Sequence, residues 1–456
     1  MLLLLLLATA ALASPREQDW AELGRQTARL LSDYLQVDTT NPPGNETAGA
    51  VFLAEWLAAE GIASELWEYA PGRGSLAARV KGTGAQPPLC LLSHIDVATA
   101  EAERWPEGKG PLSGTIDAQG RVWGRGALDM KGMGAMQAMV LAMVVRSGVE
   151  LDRDLVLLAV ADEEVDNLGI RHIASRWEEI GCSHVINEGG VGIADMLFPG
   201  QTVFPISVGE KGVLWLRMTA AGEPGHGSVP LPDQAPERLA RASLALLERP
   251  VRPTWDPALL ELLSAIGEEE GGLSGAVLRR PGLVKLLVRG RLMANPLTRA
   301  GLTDTAHVTG FEGAEQPNVV PSQVHALIDS RLLPGTSPEQ MQAEIASAVG
   351  EGLSLEVIQA IPASVSEWRG DPLYEALARR SVEGLPRAVA GPVISVGFTD
   401  SIVLRPLGVR AYGMVPFVLT EAELRTMHGD GEHVSIENLR RGLRVLWDTV
   451  LDVSGS

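Results

Sequence analysis

Short apolar runs over residues 88–97, 154–161 and 183–186 each stop abruptly at a cluster of polar residues, and a long Met/Ala/Val helix over 130–145 separates the first two. Runs of this length bounded by turn residues read as buried strands. Strands that alternate with helices predict a largely parallel sheet. Upstream, an apolar period over 19–34 marks an opening helix, and a second helix over 48–60 stops at Gly61. The pattern changes after Ser207. Strands over 212–221, 306–311, 324–332 and 353–360, with helices over 235–248 and 337–349, follow a β-α-β-β-α-β order, the ferredoxin-like arrangement. A Leu-rich, mostly helical stretch over 250–299 interrupts that order. After Ile361 strands near 393–396 and 409–414 restore the first pattern. The expected class is α/β: a domain with a mostly parallel sheet, plus an inserted ferredoxin-like α+β lid. The expected bounds are a leader over 1–13, the α/β domain over 14–206 and 362–456, and the lid over 207–361 with its insertion near 250–299.

The 456 residues suffice for two domains with a sizeable core. With 57 acidic against 38 basic residues the formal charge is −19, which disfavours nucleic acid and anionic membrane surfaces as partners. Residues Leu2 to Leu7 form an apolar core and Ala11-Leu12-Ala13 fits a small-x-small cleavage site, so a secretory signal peptide is expected even without a basic start. The expected location is secreted or periplasmic. The apolar run is short for a bilayer, and no stable membrane insertion is expected. Of the two cysteines, Cys90 reads as a small buried hydrophobe. A single disulfide stays open.

The chemistry lies at the strand ends. The first run enters Ser93-His94-Ile95-Asp96, the second Asp162-Glu163-Glu164, the third Asn187-Glu188-Gly189. In open α/β sheets, sites form beyond the carboxyl ends of the strands. Strands that deliver His, Glu and Glu to one edge suit a metal, zinc ahead of cobalt or manganese. In an extended segment His94 and Asp96 point to one side, so Asp96 can orient the imidazole. Adjacent Glu163 and Glu164 diverge, so one can bind metal while the other serves as a base. Asp129 sits in the glycine-rich turn before the long helix, and its two oxygens can bridge two ions about 3.5–4 Å apart. Taken singly, a histidine at a strand end is usually structural and an acidic run usually a solvated turn. The order of the pieces is what separates this chain from that outcome.

Ser93-His94-Ile95-Asp96-Val97, Gly124-Arg125-Gly126-x-x-Asp129-Met130-Lys131-Gly132, Asp162-Glu163-Glu164, Asn187-Glu188-Gly189 and Met427-His428-Gly429-x-x-Glu432 follow one another. Together they resemble the di-zinc metallopeptidase family of aminoacylase, glutamate carboxypeptidase and acetylornithine deacetylase. Within it, the stretch from Asn295 to Arg331 and the insertion before it look most like carboxypeptidase S and the secreted N-fatty-acyl-amino-acid synthase/hydrolase. The resemblance implies two Zn2+ ions: His94, Asp129 and Glu188 hold one, Asp129, Glu164 and His428 the other. It makes Asp129 the bridge, Asp96 the orienting residue and Glu163 the general base. His433 receives no metal role. Val97-Ala98-Thr99 departs from the commoner Val-Val-Pro in the loop after a ligand.

In the lid, Gly225-His226-Gly227, Pro317-Asn318-Val319 and Asp329-Ser330-Arg331 resemble the family's carbonyl-polarising His and Asn and its carboxylate-clamping Arg. A tetrahedral oxyanion needs donors, and a guanidinium matches a carboxylate at two points. Gly397-Phe398-Thr399-Asp400-Ser401 resembles a substrate-side turn. Residues 281–287 suit either an acyl pocket or lid core. The implied activity is hydrolysis of amide bonds next to a free carboxylate, in N-acyl-amino acids or short peptides, with a homodimer through the lid. Two rivals stand beside it: an aminopeptidase or dipeptidase of the same fold, and an inactive metal-binding or dimerising protein.

Overall fold

The computed structural model describes residues 15–229 and 231–455. The leader expected over 1–13 lies outside the described residues. The chain divides into two units. One runs to Gly169 and adds Glu178–Gly181 and the segment from Ala422 on. The other holds Ile170–Trp177 and Cys182–Glu421.

In the first unit, α1 (Trp20–Leu35) starts where the Asp19 carboxylate accepts the Glu22 amide, and it buries Leu23, Thr27, Leu30, Leu31 and Tyr34 at helical spacing. Helix α2 (Glu46–Ala59) lies against β1 (Ser64–Ala70) and β2 (Arg73–Val80). The strand order is β1-β2-β5-β3. Here β5 (Leu155–Val160) is antiparallel to β2 and parallel to β3 (Leu89–His94). Every residue of β3 and β5 is buried, which explains why both read as unbroken apolar runs. Helix α3 (Lys131–Ser147) is buried along nearly its whole length, and this favours its small and flexible residues. It ends at Gly148 in the left-handed region. Its first residue, Lys131, is fully buried and donates to the carbonyls of Tyr34 and Val37 at 3.2 and 2.8 Å, capping the end of α1. The C-terminal helix Ile436–Val453 packs on both α1 and α3.

In the second unit, β6 (His184–Ala194) pairs in parallel with β16 (Arg410–Leu419), and β7 (Thr202–Glu210) pairs in parallel with β15 (Ala388–Ser395). Antiparallel pairing links β6 to β7, and β7 to β14 (Ser364–Val365). A separate sheet has the order β10-β12-β8-β13, formed by Thr305–Glu312, Gln323–Leu332, Gly212–Ala221 and Leu353–Ile361. All its pairs are antiparallel, and helices Ala235–Glu248 and Pro338–Val349 pack on it, the ferredoxin-like pattern. The fold class is α/β, as the alternation of apolar runs predicts.

Two features differ from the sequence reading. Strand β7, which the sequence reading did not mark, runs past Ser207 to Glu210 and pairs with β14 and β15, while the first lid strand spans Gly212–Ala221 as expected. The helical insertion does not pack on the lid sheet. Leu262, Leu263, Ile266, Leu278, Val284, Leu292 and Leu302 form one core with Val203 of β7 and Val389 of β15. Val284 is part of that core, whereas Leu286 and Leu287 are 75% and 62% exposed. Cys90 is buried, as expected, and no free cysteine remains among the described residues. Cys90 and Cys182 are both disulfide-bonded.

Asp371 anchors the second unit. Its Oδ1 caps helix Pro372–Val382 by accepting the amides of Leu373 and Tyr374. Its Oδ2 accepts from His184 on β6 and Arg410 on β16, at 3.1 and 2.7 Å. Burial works against this charge, but the His184 and Arg410 hydrogen bonds hold the carboxyl well below its ordinary range. A carboxylate of depressed pKa stabilises the fold above its unfolded value and loses that contribution as pH falls. Asp371→Ala is therefore expected to cost about 3 kcal/mol at pH 7. The deficit relative to the parent protein should shrink below a pH of about 4. Denaturant unfolding at pH 7 and at pH 3 measures both; a deficit that stays constant would show that the ion pairs contribute nothing.

Candidate metal centre

Parallel pairing places His94 opposite Val160, so β3 and β5 release the chain at the same edge. From β5 the chain turns through Asp162, Glu163 and Glu164. From β3 it continues through Asp96. The turn before α3 brings in Asp129, and the 422–432 segment brings in His428. The His94 ring is buried, and its Nε2 lies 3.0 Å from Asp129 Oδ1. His428 Nε2 lies 3.1 Å from Asp129 Oδ2 and 3.2 Å from Glu164 Oε1. The two oxygens of one carboxylate thus face two different imidazoles. Ligand atoms of His94, Asp129 and Glu164 all lie within 4.8 Å of one another, and a Glu163 oxygen comes within the same distance of a His94 ring nitrogen.

The electrostatics match a cation site. Hydrogen bonds to Asp129 and then to Glu164 push the His428 imidazole up to about 10 against the opposing effect of burial. Burial disfavours the Asp129 charge, yet hydrogen bonds from His428 and His94 leave that carboxyl far below its usual range. Carboxylate and imidazole donors set this close suit zinc or another borderline divalent ion, whose charge would replace that of the shared protons.

Asp96 stands beside His94 and also holds the turn that follows β5. His94 Nδ1 meets the backbone carbonyl of Asp96 at 2.9 Å, while the nearest carboxylate oxygen is at 3.5 Å. The carboxylate instead accepts the amides of Glu163 and Glu164 at 3.1 and 3.0 Å and the Asn41 side chain at 2.9 Å. Asp96 therefore meets the imidazole with its main-chain carbonyl and, at longer range, with its carboxylate, and that carboxylate also fixes the Glu163–Glu164 turn. Ala98 adds a backbone N–H to Glu164 Oε1 at 3.1 Å, so the loop that departs from Val-Val-Pro touches an expected ligand.

Sequence reasoning missed what stands behind this turn. Asp162 adopts φ +68, a conformation rare for non-glycine residues. Its carboxylate accepts from Asn41 at 2.9 Å, Arg73 at 2.5 Å and the Leu168 amide at 3.1 Å. Arg73 also pairs with the fully buried Glu46. Burial pushes the Glu46 carboxyl up to about 7, with Arg73 opposing. Asn41 and Arg73 lie in unpatterned polar stretches, so no periodicity or spacing marks them. Asp162 adjoins the expected pair and was legible only as part of an acidic turn.

In the second unit, His226 and Asn318 come together. The two-residue strand β9 (Gly225–His226) pairs with β11 (Val319–Val320), with His226 opposite Val319, and the Gly227 amide donates to the Asn318 carbonyl at 2.8 Å. Both side chains are exposed, and His226 Nδ1 is held by the Ser228 hydroxyl at 2.8 Å. Arg331 lies on β12, where Nε and Nη2 donate to Asp329 at 2.7 and 3.0 Å. Its guanidinium stands 5.3 Å from the Phe398 ring and 6.0 Å from the Trp215 ring. The turn after Phe398 is fixed by Glu210, which accepts the Thr399 amide and hydroxyl at 3.0 and 2.7 Å and pairs with Arg405 at 3.1 Å. Glu188 stands on β6 beside Asn187, which donates to Thr399 and Ser401. His433 stacks on Trp123 at 4.3 Å, and its Nδ1 lies 2.8 Å from the Gly431 carbonyl.

Comparison with known proteins places these observations. A model of peptidase family M20/M25/M40 matches residues 90–452. The N-fatty-acyl-amino acid synthase/hydrolase of Homo sapiens is 26% identical over 375 residues, 80% of this chain and 73% of that protein. Aminoacylase-1A of Rattus norvegicus is 25% identical over 416 residues, 89% of this chain and 90% of its own. Among solved structures, an M20 family metallo-carboxypeptidase of Sulfolobus solfataricus shares the fold with a TM-score of 0.70 at 20% identity, over 94% of this chain and 99% of that one. A dipeptidase of Saccharomyces cerevisiae gives 0.68 at 16% identity, over 97% and 98% of the two chains.

Proposed function

The chain belongs to peptidase family M20/M25/M40, metal-dependent amidohydrolases and peptidases, and from that premise we propose that it hydrolyses amide bonds next to a free carboxylate with two zinc ions. The observation that carries this reading is the Asp129 carboxylate, with one oxygen toward His94 and the other toward His428. In this proposal His94, Asp129 and Glu188 would hold one ion, and Asp129, Glu164 and His428 the other. Bound divalent ions supply Lewis acidity and lower the pKa of water.

The chain's own residues do the rest. Glu163 takes the proton of the attacking water and returns it to the departing amine. Its amide is anchored on Asp96, so the carboxylate is held on a fixed turn. His226 and Asn318 polarise the scissile carbonyl as charge builds on its oxygen. Arg331 keeps one guanidinium edge on Asp329 and offers the Nη1/Nη2 edge to the substrate carboxylate.

Comparing N-acyl-amino acids with their methyl esters and amides, by mass spectrometry on zinc-loaded protein, tests this reading. Free acids should be hydrolysed, with kcat/KM about 10–100-fold above the esters and amides. Arg331→Met should remove that preference while leaving ester turnover unchanged. Equal rates on acid and ester in the parent protein, or hydrolysis confined to substrates with a free amine, would favour the aminopeptidase or dipeptidase rival. No turnover with metal bound would favour the inactive one.

Two further parts of the reading are proposals. Secretion or periplasmic location is supported by the apolar leader and by the disulfide-bonded state of both cysteines. A homodimer through the lid is supported by β10, an edge strand, and by Leu244, Leu247 and Phe311, which are 58%, 53% and 65% exposed and line one groove.

A further inference from the structure

Arg125 and Glu432 occur in two of the motifs, yet neither touches the reacting groups described above. Their side chains are 2% and 0% exposed and 2.7 Å apart. Removing two charges from water is unfavourable unless their remaining hydrogen-bonding capacity is used. Here all of it except the Arg125 Nε–H, which is buried without a partner, is used on the backbone of the loops that carry the metal ligands. Glu432 Oε1 accepts the amides of Gly126, Leu128 and Asp129 at 3.1, 2.7 and 3.2 Å. Arg125 Nη2 donates to the carbonyl of Gly429 at 3.1 Å and to that of Thr99 at 3.4 Å. The Gly124 amide closes the set on the Glu432 carbonyl at 3.1 Å.

These contacts join three loops that are far apart in sequence: the loop after His94, the turn that ends in Asp129, and the segment that starts with His428. The turn can wrap one carboxylate oxygen because Gly126 adopts φ +93, where an added Cβ would meet Val97 at 2.7 Å. An apolar residue at 432 would leave three buried amides without an acceptor.

We infer that Arg125 and Glu432 are positioning residues of the metal centre: their ion pair sets where Asp129 stands relative to His428, and so sets the affinity for a divalent cation. This rests on the metal-centre reading above. The test is a Co2+ titration of chelator-stripped full-length protein, followed in the visible absorption spectrum, for the parent, Glu432→Gln, Arg125→Lys and the double variant. Circular dichroism and thermal melts of the metal-free forms report folding independently. Each folded single variant should bind Co2+ about 10–100-fold more weakly, as is usual when the partner of a ligand is lost. The double variant should be little worse than either single one, because the pair acts as a unit.

Folded variants that bind Co2+ as tightly as the parent would overturn the inference, whatever happens to their melting temperature. Arg125→Lys keeps the charge beside Glu432 but cannot also reach Gly429 and Thr99, so it decides the question even where Glu432→Gln fails to fold. A parent protein that takes up no Co2+ is a separate result: it would remove the metal reading itself, and this inference with it.

Discussion

Glu163→Gln is expected to lower kcat about 1000-fold with little change in KM and none in metal content. The magnitude is that of a proton transfer withdrawn from the chemical step, about 100- to 10,000-fold. The amide side chain is nearly isosteric and cannot accept the proton. The backbone of the turn should not respond, because its register comes from the main-chain amides of residues 163 and 164 on Asp96. The neighbouring substitution separates the roles. Glu164 Oε1 faces His428 at 3.2 Å and receives the Ala98 amide, so Glu164→Gln should lower activity together with metal content. Steady-state kinetics on an N-acyl-amino acid, paired with elemental analysis of the same samples, distinguishes the two outcomes. Wild-type turnover by Glu163→Gln would assign the base elsewhere. Metal loss in Glu163→Gln would exchange the roles proposed for the two glutamates.

That contrast was legible in the sequence because two adjacent carboxylates at the end of a buried strand must diverge. The same holds for His94 and the Asp162–Glu164 turn: fully buried parallel strands have no polar face, so their apolar runs end where the site begins. The lid was legible because its strands alternate. In β12 every second residue is buried from Val324 to Leu332. What was not legible lacked such periodicity. Strand β1 is mostly solvent-facing and carries charged residues, so it and its partner β2 gave no apolar run to read. Strand β7 was lost because its last residues adjoin the next strand without a turn signal, Lys211 alone separating Glu210 from Gly212. The insertion's leucines carry helical spacing whichever sheet they cover, so their partners in β7 and β15 could be known only from the fold.

The site shows the same division. Residue types and order identify the chemistry, but a residue such as Asp96 has acceptors on its main chain and on its side chain, and sequence alone does not say how its neighbours share them. Asn41 and Arg73 act through Asp96 and Asp162, and nothing in their own neighbourhoods points to a reacting group. The left-handed backbone at Asp162 and His428 belongs to the same class of information. It sets the direction in which these side chains leave the backbone, and although Asp and His enter this region more often than most residues, the residue type alone does not predict it.

Asp129→Asn should have the broadest effect, because one side chain serves both halves of the centre. One of its carboxylate oxygens meets His94 and the other meets His428. An asparagine brings one acceptor oxygen where two are used, and its NH2 group would face an imidazole nitrogen or a cation instead of compensating it. Metal affinity should fall by more than the about 10–100-fold typical of losing an indirect partner. Activity should fall with it at any practical metal concentration. Stability offers a second measurement. Zinc at about 1000 times its dissociation constant should stabilise the parent protein by about 4 kcal/mol, and chelation should abolish that gain. The Asp129→Asn variant should melt at nearly the same temperature with zinc and with chelator. If the variant keeps a zinc-dependent shift equal to that of the parent, the bridging role of this carboxylate is wrong, since binding tight enough to stabilise the fold would then need only one of the two imidazoles and its own neighbours.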